Sequence, residues 1–169
     1  SKTSYSFNVI ANDGGNTTTQ AVVVSVTNVN EAPVFTSAAT ASFAENGTGT
    51  AYTAAATDVD AGTTLTYTLG GTDAAKFAIN SGTGVVTFVT APNYEAPTDS
   101  GANNVYDITV TATDNGSGTL SATQAVAITV TNVNEAPVFT SAATASFAEN
   151  GTGTVYTATA TDVDAGTTL

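Results

Sequence analysis

The sequence contains no cysteine, histidine, methionine or tryptophan. Without cysteine no disulfide framework can hold the chain, so its fold rests on packing or on bound metal. With neither histidine nor cysteine, zinc and copper lack their usual ligands, and no nucleophile–base pair using either residue can be drawn. Positive charge is almost absent too: Lys2 and Lys76 stand against 14 acids, for a net charge of -12. Such a chain cannot neutralise phosphates, which excludes nucleic acid as a partner, and an anionic membrane surface repels it. Cations are its natural counterpart. No apolar run approaches the ~20 residues that span a bilayer, so no membrane insertion is expected of this segment. No signal peptide is visible, and Ser1 reads as a cut end rather than a natural start.

What is present is Thr, Ala, Val, Gly and Asn, with a hydrophobic share of 41%, enough for a modest core. Thr and Val favour strands. The string NVNEAPVFTSAATASFAENGTGT begins at Asn28 and again at Asn132, a period of 104 residues. From Asn28 to Leu65 and from Asn132 to Leu169 the copies differ only at Ala51/Val155 and Ala55/Thr159. Tyr5–Asp13 likewise reads like Tyr106–Asp114. This period is too long for a solenoid unit and matches one small β-sandwich. One complete repeat, 32–134, is therefore expected between the tail of a preceding repeat, 1–31, and the head of a following one, 135–169. Neither partial unit has the strands to close a core, and the native protein is expected to be much longer.

Alternation marks seven strands within the complete repeat: Thr40–Ala44, Ala51–Thr57, Leu65–Leu69, two around the turn 81–84 marked by Phe77, Ile79, Val85, Val86 and Phe88, then Val105–Thr113 and Ala125–Thr131. No helix of ten residues is evident. The expectation is an all-β, seven-stranded Greek-key β-sandwich, immunoglobulin-like in architecture and repeated in tandem. Tyr52, Tyr67, Phe88 and Tyr106 are candidates for its core.

The acids fall at strand ends and linkers. Asp58 and Asp60 lie in ATDVDAG, where a two-residue spacing puts both carboxylates on one face of an extended chain. Glu45 follows a short strand, Glu95 sits in APNYEAP, Asp114 ends the long strand, and the linker carries Asn132, Asn134 and Glu135. In a sandwich these segments gather at two poles. Each like-charged pair at ~4 Å costs about 1 kcal/mol in water and about 4 kcal/mol at an effective dielectric of 20. No base is at hand to relieve this, whereas a hard cation liganded by carboxylate, amide and carbonyl oxygens would do so.

These motifs together resemble a cadherin domain of the bacterial type. FAEN (43–46) resembles the family's Glu-Asn motif and ATDVDAG (56–62) its Asp-x-Asp motif. FAINSGTGVVTF (77–88) is similar to its Phe-x-Ile…Thr-Gly hairpin, NYE (93–95) to Asp-x-Glu, and TATDNG (111–116) to Ala-x-Asp-x-Gly. NVNEAPVF (28–35 and 132–139) resembles the Asp-x-Asn-Asp-Asn-x-Pro linker, one residue shorter. Six motifs occur in the family's order, and the resemblance covers the whole chain. It implies calcium bound between successive repeats of the same chain, on an extracellular, cell-surface adhesion protein with no enzymatic activity. Carried over residue by residue, the lower junction would use Glu45, Glu95, Asn132, Asn134, Glu135, Asp162 and Asp164. The upper junction would use Asn28, Asn30, Glu31, Asp58, Asp60 and Asp114. Asp13 and Glu149 match motifs whose partner units are absent. Asn28, Asn93 and Asn132 stand where the family usually has Asp, and each removes one charge from a site.

Other readings attach to the same residues. The acids could form a solvated face that confers only solubility on a metal-independent spacer. Asn132 and Asn134 also suit turn chemistry. The repeats could themselves bind carbohydrate or an identical partner, as the family's homophilic adhesion implies. Glu45 with Glu95 could be drawn as a glycosidase pair, but both map to a pole with no deep cleft implied. Sequons at Asn16, Asn46, Asn115 and Asn150 are cheap in a Thr-rich chain, and glycosylation is not expected.

Overall fold

The computed structural model describes residues 3–168. Nine strands lie in the central repeat: β3 (Val34–Phe35), β4 (Thr40–Ala44), β5 (Thr50–Thr53), β6 (Ala56–Thr57), β7 (Thr66–Gly70), β8 (Phe77–Ile79), β9 (Val85–Phe88), β10 (Val105–Thr113) and β11 (Ser121–Thr131). Four of them form one sheet in the order β4-β11-β10-β7, where β4 joins β11 in parallel and the other pairs are antiparallel. Opposite lie the three-stranded sheet β5-β9-β8 and the short pair β3-β6. The seven-strand expectation is therefore refined in three places. A two-residue strand follows Pro33, the 51–57 strand is broken into β5 and β6, and the final strand begins at Ser121. A single 3-10 turn, Ala74–Lys76, precedes β8.

Alternation builds the core. Along β10, Tyr106, Ile108, Val110 and Ala112 are buried, and β11 answers with Val126, Ile128 and Val130. Val86, Phe77, Tyr52 and Ala51 face them from the second sheet, and Tyr67 joins from β7. Each large side chain withdrawn from water contributes about 1.5–3 kcal/mol. Near the lower pole Phe43, Phe77, Phe88 and Tyr106 pack with ring centroids 4.3–5.8 Å apart. The buried tyrosine hydroxyls are satisfied. Tyr67 accepts the Ala56 N–H at 3.1 Å, and Tyr52 donates within a cluster of Ser37 Oγ, Ala38 O and Gln124 Oε1. The expected core tyrosines are buried, and Phe88 is half-buried.

Residues before the central repeat form an antiparallel hairpin, β1 (Ser4–Asn12) with β2 (Thr17–Ser25). It exposes Tyr5, Phe7 and Val9, whereas Tyr106, Ile108 and Val110 are buried at the matching places on β10. After the central repeat, among the described residues, only β12 (Val138–Phe139) and β13 (Ala160–Thr161) pair.

Candidate metal centre

Both poles of the sandwich gather acids, and parallel topology explains the lower one. Because β4 runs alongside β11, their ends coincide, placing Glu45 beside the linker that leaves Thr131. Glu45 is buried. Its Oε1 accepts the Val133 N–H at 2.8 Å and its Oε2 the Tyr94 N–H at 2.7 Å. One carboxylate thus ties the linker to the loop that carries Glu95. Carboxylate oxygens of Glu45, Glu95 and Glu135 lie within 4.8 Å of one another. Partial desolvation, and then the charges of Glu45 and Glu135, hold Glu95 above the usual carboxylate range.

Amides line this trio. Asn132 Nδ2 donates to Glu95 Oε1 at 3.3 Å, and Asn46 Nδ2 donates to Glu135 Oε1 at 2.6 Å. Asn134 Nδ2 reaches only the carbonyl of Glu135, at 3.1 Å. The following unit is stitched on through backbone: Glu135 N–H donates to Asp164 Oδ2 at 2.8 Å, and Asp164 N–H to Asp162 Oδ1 at 2.9 Å.

The upper pole repeats the backbone stitching, without a converging carboxylate trio among the described residues. Glu31 N–H donates to Asp60 Oδ2 at 3.0 Å, and Asp60 N–H to Asp58 Oδ1 at 2.8 Å. Asp58 and Asp60 therefore share a side through a turn that Asp58 caps, not through an extended strand: β6 has already ended at Thr57. Asn28 Nδ2 donates to Asp60 Oδ1, and this bond, followed by the Glu31 N–H, lowers the Asp60 pKa. Asn30 Nδ2 donates to Asp114 Oδ2 at 2.9 Å. The other oxygen of Asp114 accepts the Gly116 and Leu120 N–H groups at 3.0 and 3.1 Å. Gly116 leaves room for this amide, since a Cβ on it would fall 1.7 Å from Asn30 Oδ1 and displace that side chain.

Two carboxylate oxygens at these poles are buried without a partner, Asp58 Oδ2 above and Glu135 Oε2 below. Leaving such an atom dry and unpaired costs about 1–3 kcal/mol or more, and a cation removes that cost. The carboxylates offer only hard oxygens, with no soft ligand among them, and the Asn132 and Asn30 amides, which point Nδ2 at the acids here, would turn Oδ1 toward an ion. Calcium oxygens at 2.3–2.6 Å from a shared ion are compatible with the spacing of the glutamate trio. The residues present fit a hard divalent cation.

Of the thirteen residues expected at the junctions, the structure joins Glu45, Glu95, Asn132 and Glu135 directly around one point. It links Asp162 and Asp164 through the Glu135 backbone, and the Asn134 amide donates to the Glu135 carbonyl. Above, it links Asn28, the Glu31 backbone and Asp58 through Asp60, and separately Asn30 with Asp114. Asn93, where the family has Asp, accepts the Ala96 N–H at 2.8 Å and shapes its own loop. Asn46, whose place in FAEN is its only signal in the sequence, joins the trio through Glu135. Asp73 and Asp99 are buried carboxylates without any motif to mark them.

A family model described as the cadherin domain matches residues 39–131. Human Protocadherin Fat 1 is 36% identical over 88 residues, which is 51% of this chain and 2% of that protein. The chain thus spans a small fraction of this curated relative. Among solved structures, human CDH23 EC21-23 superposes with a TM-score of 0.67 at 25% identity, covering 97% of this chain and 55% of that one. Mouse Cadherin-23 EC22-24 gives 0.61 at 28% identity over 78% of this chain and 43% of that one. Protocadherin Gamma B2 domains 3-6, at 23% identity, share the fold with a TM-score of 0.67, over 97% of this chain and 43% of that one.

Proposed function

Because this chain belongs to the cadherin family, whose members are adhesion proteins, we propose that it is a calcium-binding tandem segment of an extracellular stalk or adhesin. Ions at the seams between repeats stiffen the string of sandwiches into a rod, which displays an adhesive region or takes part in cell–cell contact. The observation that carries this reading is the pair of orphaned buried carboxylate oxygens, one at each junction. Glu45, Glu95, Glu135 and Asn132 would hold an ion below, and Asp58, Asp60, Asp114 and Asn30 one above. The ion supplies positive charge to balance these carboxylates. Each ion bridges linker and sandwich pole, so the linker loses its freedom to bend. The placement in a bacterial-type surface adhesin rests on the near-identity of successive copies.

Glu45 is a poor acid for a hydrolytic pair with Glu95, because both its oxygens accept backbone N–H groups. A second reading, a metal-independent spacer, is favoured by the amides of Asn28, Asn46 and Asn132, which partly satisfy acids without any ion. Replacing Asp58 and Asp60 by Asn separates the two. Under the calcium reading the variant loses its calcium-dependent rise in melting temperature at the upper junction, whereas a spacer melts alike with and without calcium.

A further inference from the structure

Glu95 sits in the sixteen-residue segment Val89–Asn104, which joins β9 to β10 without strand or helix. Loops beyond about 12–15 residues without structure of their own are uncommon in compact domains, and are usually functional or disordered. This one is pinned. The buried Asp99 carboxylate accepts the N–H groups of Gly101, Asn103 and Asn104, each at 3.0 Å. The buried Asp73 carboxylate reaches across from the turn after β7 and accepts Ser100 N–H and Asp107 N–H, both at 2.8 Å.

Asn104, so placed, donates its Nδ2 to the Tyr94 carbonyl at 2.9 Å. Tyr94 N–H is held from the other side by Glu45 at 2.7 Å. The residue preceding Glu95 is thus gripped at both backbone groups. The grip is kept although it leaves Asn104 Oδ1 buried without a partner and Asn104 itself at a positive φ of 63°. A buried unpaired oxygen calls for a compensating reason, and holding Tyr94 supplies one.

We propose that Asp73, Asp99 and Asn104 form a relay that positions Glu95 for the lower junction, so that cation binding there does not have to order the loop. This rests on the calcium reading for its consequence, but the relay itself exists without the ion. The residues of the relay touch no candidate ligand atom; they act through Tyr94 and are positioning residues.

The test uses the full chain and two variants. Asn104→Gly removes the amide and tolerates the positive φ, while Asp73→Asn acts from outside the loop. In the calcium-free chain both should speed hydrogen exchange at residues 94–104 and leave the Asp60 and Gly116 amides of the upper pole unchanged. Unchanged exchange in the loop of either folded variant overturns the relay, and so does an equal rise at both poles, which marks general destabilisation. In calcium titrations read residue by residue, the lower junction should weaken about five- to tenfold, the size of one lost hydrogen bond, while the upper one holds. Equal lower-junction affinity in wild type and variants also overturns it. If wild type binds no calcium, the proposed function fails, and the exchange experiment still decides the relay.

Discussion

At the residue scale, most acids at the poles accept backbone N–H groups before any ion arrives. Glu45 is the strongest case. Glu45→Ala leaves the N–H groups of Tyr94 and Val133 unpaired beside a buried void, and should cost about 2 kcal/mol or more in stability even under chelator; denaturant unfolding checks this, and a loss within error contradicts it. Glu95 is the pH-sensitive member. Its pKa is raised by desolvation and by Glu45 and Glu135, so its charged form is disfavoured in the folded chain. As pH falls through that raised pKa, protonation relieves the repulsion and steadies the calcium-free junction. The same proton competes with calcium, so lower-junction affinity should fall as pH drops toward the usual carboxylate range. Asp60 has the opposite sign: its lowered pKa adds stability above the unfolded value, and that is lost as pH falls through the folded one. The asparagines give a third expectation. Asn132→Asp replaces a donor to Glu95 with a fourth charge, so it should lower the melting temperature in chelator and tighten calcium binding. The acids that gather at the poles were legible from motif order because charge is scarce in this chain. The amide bridges were not, since which acid an Asn meets depends on the meeting of strands far apart in sequence. Asp73 and Asp99 were invisible because they serve backbone groups, for which no spacing rule exists.

At the element scale the chain contains its own control. Thr40–Ala44 and Thr144–Ala148 are the same five residues, TASFA. The first is strand β4, paired along β11; the second forms no strand, and in the described residues no such partner lies beside it. Strand structure here comes from the neighbour, as expected when β-propensity measures packing more than intrinsic backbone preference. By contrast, β12 pairs with β13 as β3 pairs with β6, because both members of that pair are within the head segment. Long strands with strict alternation, such as β10, were therefore fully legible in the sequence, and the two-residue strands were not. The turn between β8 and β9 makes a sharper prediction. Asn80 Oδ1 accepts the N–H groups of Gly82 and Thr83, and Gly84 follows at φ 70° against Ala54, the residue after β5. A Cβ on Gly84 would lie 2.3 Å from Ala54 O. Gly84→Ala should break the Ala54–Gly84 hydrogen bond and cost about 3 kcal/mol or more, read as an early thermal transition; a wild-type melting curve contradicts it.

At the scale of the whole molecule, the poles matter more than the faces. The sandwich core is ordinary, and the flanking segments expose the residues that its own strands bury. What distinguishes the chain is a net charge of -12 concentrated where one repeat meets the next. Without cations the linkers are expected to bend and the charged poles to repel; with them the repeats align. The most direct measurement is a comparison of the full chain in excess chelator and in millimolar calcium, by calorimetric titration together with small-angle scattering. Expected are binding in the range of roughly 10⁻⁴ to 10⁻³ M, about 2.7 kcal/mol of added stability per site at a hundredfold excess over the dissociation constant, and a longer maximum dimension in calcium. No binding heat, with identical melting and identical dimensions in the two solutions, would contradict the calcium reading.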